Sequence, residues 1–201
     1  MPNNKKSLRT AATGLLVAAT LLLSGCAGND TLANQFKSGD NKNYIAGDGT
    51  VSEYAAADRG AAVTWRGVTE AGSVLSSDNL SGVVTVVNFW YAGCAPCRAE
   101  AKDLEALYKQ FLPSKVQFVG VNVRDTAGTA QAFDRAFGMT YPSIIDNNTG
   151  SVVLAFTGVV SPQAVPTTLV IDRKGRVAAR ILGRLEKGTL KAMIQKVVAE
   201  K

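Results

Sequence analysis

Residues 83–90 (VVTVVNFW) are almost unbroken apolar sequence, the pattern of a strand buried on both faces. Residues 116–123 repeat that pattern and predict a second buried strand. Between them, residues 97–111 (CRAEAKDLEALYKQF) place Ala101, Leu104, Leu107, Tyr108 and Phe111 at steps of three and four. The stripe predicts an amphipathic helix that ends before Pro113. Residues 129–137 read as a weaker helix closed by Gly138, and Tyr141-Pro142 blocks its continuation. Runs 63–65 and 73–75, joined through Gly67 and Gly72, predict a hairpin. Runs 167–171 and 177–182 flank Asp172-Arg173-Lys174-Gly175 and predict another. Residues 143–163 read as irregular, and residues 186–198 close the chain as a helix with Leu190, Ile194 and Val197 inward. Buried strands alternating with helices predict an α/β fold with crossover connections.

The first residues read differently. Lys5, Lys6 and Arg9 precede a charge-free apolar run over 11–23, the order of a signal peptide. Such a run is too short to cross a bilayer, which takes roughly 20 residues. Leu23-Ser24-Gly25-Cys26 then resembles the lipobox of bacterial lipoproteins, which implies cleavage before Cys26 and a diacylated cysteine. Residues 27–43 are rich in Asn, Asp, Gly, Ser and Lys, the composition of a tether. The expected organisation is a signal peptide over 1–25, a lipidated N-terminus and tether over 26–45, and one domain over 46–201.

Composition narrows the chemistry. The chain has no histidine and three cysteines, so Ser/His/Asp and Cys/His triads, histidine-ligated zinc and four-cysteine zinc sites are excluded. The formal charge of +6 loses three units once the first nine residues are set aside. What remains is an ordinary surface charge, and no nucleic-acid partner is expected. With Cys26 assigned to lipid, Cys94 and Cys97 remain as a pair.

Cys94-Ala95-Pro96-Cys97 lies where the buried strand meets the helix. There the unpaired N–H groups and aligned peptide dipoles favour a thiolate at Cys94, and two intervening residues let Cys97 reach back to resolve a mixed disulfide. Half of a zinc site and a structural disulfide are the competing readings. Zinc lacks two ligands, and so short a loop constrains the unfolded chain little.

The segment Val87-Asn88-Phe89-Trp90-Tyr91-Ala92-Gly93-Cys94-Ala95-Pro96-Cys97-Arg98-Ala99-Glu100 resembles the active site of thioredoxin-like proteins, and within them the TlpA/ResA branch of extracytoplasmic thiol-disulfide oxidoreductases. Val165-Pro166-Thr167-Thr168 resembles the cis-proline loop, and 183–188 the turn into the last thioredoxin helix. The resemblance covers roughly residues 60–199. It implies a mixed central sheet flanked by helices, with an N-terminal hairpin extension. It further implies that Pro166 shapes the loop facing the dithiol, that the backbone of Val165 pairs with substrate, and that Glu100 is a partly buried acid handling protons for the thiols. Glu105, further along the helix, is expected to be exposed. Asn88 stands where cytosolic thioredoxin has a buried aspartate, and Gly93 replaces the usual tryptophan.

The expected activity is reduction of protein disulfides, with apocytochrome c cysteines as one substrate and a membrane donor of the CcdA/DsbD type. No cofactor or metal is implied, and the protein is expected to be a monomer, lipid-anchored at the extracytoplasmic face. A peroxidase of the peroxiredoxin type would need a Pro-x-x-x-Thr-x-x-Cys pattern that residues 90–94 do not supply. A copper carrier of the Sco type would need CxxxC and a histidine. The DsbA kind of oxidase carries Pro-His between its cysteines, whereas this chain has Ala95-Pro96. A tethered oxidase, or a binding module with a resting disulfide, remains the alternative.

Overall fold

The structure, a computed structural model, describes residues 51–159 and 164–200. The signal peptide, Cys26 and the tether of the sequence reading lie outside the described residues. Six strands form the central sheet in the order β1-β8-β7-β4-β5-β6. These are β1 (Val51–Glu53), β4 (Thr85–Trp90), β5 (Gln117–Asn122), β6 (Ser143–Ile145), β7 (Thr167–Ile171) and β8 (Val177–Leu182). β4, β5 and β6 run parallel, while β7 is antiparallel to β4 and to β8. The sheet is therefore mixed, as expected.

Alternation along β4 divides the core. Val86 faces a cluster with Leu104, Leu107 and Phe111 of α1 (Ala95–Phe111) and Leu190, Met193, Ile194 and Val197 of α4 (Lys187–Ala199). Val87 and Phe89 face the other way, toward Trp65, Val121, Ile144, Val152 and Phe156. Each large side chain so buried contributes about 1.5–3 kcal/mol. The same alternation sends Asn88 and Trp90 to the α1 side, where the site lies.

The second sheet is the hairpin of β2 (Arg66–Val68) and β3 (Val74–Ser76). Its first strand begins three residues later than the sequence predicts because Trp65 is drawn into the core, where it is 7% exposed. Gly67 allows the hairpin to lie close on the main sheet: a Cβ there would sit 2.3 Å from Ile144 Cγ2.

Residues 143–159 are more ordered than the sequence predicts. They hold β6 and a single-turn helix α3 (Ser151–Ala155). Asp146, 2% exposed, accepts hydrogen bonds from the N–H groups of Val152 and Val153 and from the hydroxyls of Thr149 and Ser151. A side chain distant from the helix start thus supplies its cap, which no apolar periodicity reveals. Helix α2 (Ala127–Phe137) is capped by Thr126 and ends at Gly138 with φ of +72°.

Candidate active site

Cys94 is the N-cap residue of α1. Its backbone is extended (φ −74°, ψ 110°), and its sulfur accepts a hydrogen bond from the N–H of Cys97 at 3.2 Å. Pro96 sits in the first turn, where its missing N–H costs no helical hydrogen bond. Cys94 and Cys97 form a disulfide with their Cα atoms 5.2 Å apart. Both residues are 3% exposed in this form, so burial does not distinguish them as long as the bond is intact. The loop before Cys94 is pinned by Asp125, whose carboxylate accepts from the N–H of Ala92 at 2.6 Å and from Asn122 Nδ2 at 2.8 Å.

The peptide bond between Val165 and Pro166 is cis. Val165 packs against the cluster that contains both cysteines, Trp90, Ala101 and Phe133. The predicted loop residues and the dithiol therefore meet, although they are some 70 positions apart in the sequence. Among the described residues, the backbone of Val165 makes no hydrogen bond.

Glu100 lies on α1 one turn after Cys97 and is fully buried. Its Oε1 accepts from Asn88 Nδ2 at 3.1 Å and its Oε2 from the N–H of Leu185 at 2.9 Å. Asn88 also donates to Thr168 Oγ1 at 3.0 Å, so one amide joins α1, β4 and β7. Burial pushes the Glu100 carboxyl up to about 7, against the stabilising pull of Leu185, Asn88 and Arg184.

Two features escaped sequence reasoning. The Leu185 N–H and Thr168 come from elements whose position over α1 is set by tertiary packing alone. For Asn88 a signal existed, because its even spacing from Val86 and Trp90 puts it on the helix side of β4. One expectation is overturned: Glu105 is 6% exposed, not solvent-facing. It accepts from the N–H and hydroxyl of Thr140 at 2.9 and 2.6 Å, and its burial raises its carboxyl less than these bonds and Lys109 lower it.

A dithiol capping a helix, opposite a cis-proline loop at the end of a buried strand, defines a thiol-disulfide oxidoreductase of the thioredoxin-like fold. The AhpC/TSA family matches residues 59–180, more than half of the chain, and the chain belongs to that family. It is similar to the thiol-disulfide oxidoreductase ResA of Bacillus cereus, 26% identical over 126 residues that span 63% of this chain and 70% of that one. Solved structures share its fold, two from Corynebacterium among them. A DsbF homologue from Corynebacterium diphtheriae is 31% identical, with a TM-score of 0.68 over 78% of this chain and 99% of its own. A secreted thiol-disulfide isomerase from Corynebacterium glutamicum is 28% identical, with a TM-score of 0.71 over 79% and 98%.

Proposed function

We propose that this chain is a membrane-tethered, extracytoplasmic reductase of protein disulfides in which Cys94 attacks and Cys97 resolves. The observation that carries the assignment of roles is the Cys97 N–H directed at the Cys94 sulfur from the first turn of α1. That N–H and the positive end of the helix stabilise a thiolate at Cys94 once the pair is reduced. The Cys94 thiolate attacks one sulfur of the substrate disulfide, the substrate S–S bond breaks, and the first substrate thiolate leaves and takes a proton. Cys97 gives up its proton and attacks the Cys94 sulfur, releasing the second substrate thiolate. The substrate gains two electrons, and the Cys94–Cys97 disulfide forms.

The cis-proline loop holds the backbone of Val165 beside the dithiol, without a hydrogen-bond partner among the described residues and ready to pair with an extended substrate segment. Glu100 opposes a second negative charge near the thiols and so favours the protonated, reducing form. The absence of histidine between the cysteines supports the same direction. Apocytochrome c cysteines are the proposed substrate, and a membrane protein of the CcdA/DsbD type is the proposed electron donor. The lipid on Cys26 and the tether over 26–45 place the domain at the outer face of the membrane.

Two experiments test this reading. In the full chain, Cys97→Ser is expected to trap a mixed disulfide with substrate while Cys94→Ser traps none; equal trapping by both would overturn the roles. Cys26→Ser is expected to accumulate uncleaved precursor or to release soluble protein. A variant that is still processed at the same site and still membrane-bound would exclude the lipid anchor.

A further inference from the structure

The proposed cycle leaves one proton without a route. Cys97 must lose its proton to resolve the mixed disulfide, yet its residue is 3% exposed. Glu100, fully buried and bonded to Asn88 and Leu185, has no contact with solvent through which to discharge a proton. Beside Cys97 lies a small cavity of about 10 Å³, the space of a single water. Its lining includes Cys97, Asn88, Trp90, Tyr141, Ser143 and Asp134. Asp134 is the carboxyl-bearing residue of that lining; Glu100 does not contribute to it.

Asp134 also lines a surface pocket of about 380 Å³, together with Glu70, Arg135 and Thr140. Among the described residues, Asp134, Met139 and Tyr141 are the ones that belong to both spaces. Met139 carries no exchangeable proton and Tyr141 is buried with its hydroxyl pKa pushed well above 10, which leaves Asp134 as the group between the cavity and solvent that can exchange a proton near neutral pH.

We propose that Asp134 is the proton exit for the resolving thiol. Resting on the reading of Cys94 and Cys97 given above, the step runs through one water in the cavity. The Cys97 S–H bond breaks, the water receives that proton and passes one of its own to the Asp134 carboxylate, and the carboxylate releases it to the surface pocket. No electron moves in this step; the Cys97 thiolate so formed then attacks Cys94.

The electrostatic surroundings suit the role. Burial raises the Asp134 carboxyl to about 7, helped by Glu70 from the hairpin turn and Glu105 from α1 and opposed by Arg135 on its own helix. Lys109 pairs with Glu105, and the buried Tyr141 hydroxyl also feels the Asp134 charge. A base near the working pH is ionised often enough to accept a proton and still gives it back.

The test separates the two thiol steps. Reduced full-length protein is mixed with oxidised glutathione, quenched in acid at intervals, and the glutathione mixed disulfide is weighed by mass spectrometry from pH 5.5 to 9. Formation of the adduct reports Cys94, and its decay reports Cys97. In the wild type, decay is expected to accelerate with pH through about 7. Asp134→Asn is expected to lose that rise and to slow decay at pH 7 by about tenfold or more, as loss of a general base does. Formation should be unchanged, and Asp134→Glu should restore the rise. A mere through-space effect has the opposite sign, because removing a negative charge eases ionisation of Cys97. Faster or unchanged decay in Asp134→Asn would therefore overturn the proposal while the roles of the cysteines stand. Failure of Cys97→Ser to form the adduct would overturn the roles and this inference together. A second measurement needs no variant: the Asp134 carboxyl, followed by carbon-13 NMR, should titrate at a higher pH in the dithiol than in the disulfide form, and identical titrations would contradict the coupling.

Discussion

Glu100 shows what burial does to a single side chain. With a carboxyl raised from 4.5 to about 7, the folded protein binds a proton over a pH range in which the unfolded chain has lost it. The contribution of Glu100 to stability is therefore fully present below pH 4.5 and is lost as pH rises through about 7. Glu100→Gln removes this dependence. The melting temperature of the variant relative to wild type is expected to climb from pH 5 to pH 8, and its Cys94 thiol to titrate lower with slower disulfide reduction. A flat difference, with unchanged thiol titration, would show that Glu100 neither senses its burial nor acts on the thiols. The dithiol was legible in the sequence because cysteine spacing is a local fact, whereas the burial of Glu100 was legible only through the resemblance of the surrounding segment to a known family. Asp134 was not, since its importance depends on a cavity built by α1, α2, β4 and β6 together.

At the scale of elements, α1 carries two buried acids with opposite responses to pH. Glu105 holds Thr140, in the loop that leads to β6, through two hydrogen bonds. Its carboxyl is lowered below 4.5, so its contribution is present above that value and is lost as pH falls. Glu105→Gln is expected to cost about 1–2 kcal/mol at pH 7 by urea titration, because a buried bonding pair is left mismatched. The cost should shrink in acid, and one independent of pH would contradict the ionised pairing. The exposed placement expected for Glu105 followed from its charge and from its absence from the apolar stripe. The partner that overrides that placement lies 35 residues away and left no mark on the helix pattern. The helices α1 and α4 were readable from their period, and the strands β4 and β5 from their unbroken apolar runs. The three-residue strands β1 and β6 and the single-turn α3 fall below the length at which a period exists. They are specified instead by pairing with β8 and β5 and by the Asp146 cap.

For the whole molecule, the question is the direction in which the Cys94–Cys97 pair passes electrons. The helix N-terminus favours the thiolate and so the oxidant, while on the proposed reading the buried Glu100 and the lack of histidine between the cysteines favour the reductant. The mixed sheet brings these influences to one end of β4, with the cis-proline loop across from them. The most direct measurement is the reduction potential of Cys94/Cys97 in the full chain, from equilibrium with glutathione or dithiothreitol redox buffers. The result expected of a reductase is a value below about −250 mV, near the roughly −270 mV of thioredoxin. A value near the roughly −120 mV of DsbA would contradict it and make the protein an oxidase.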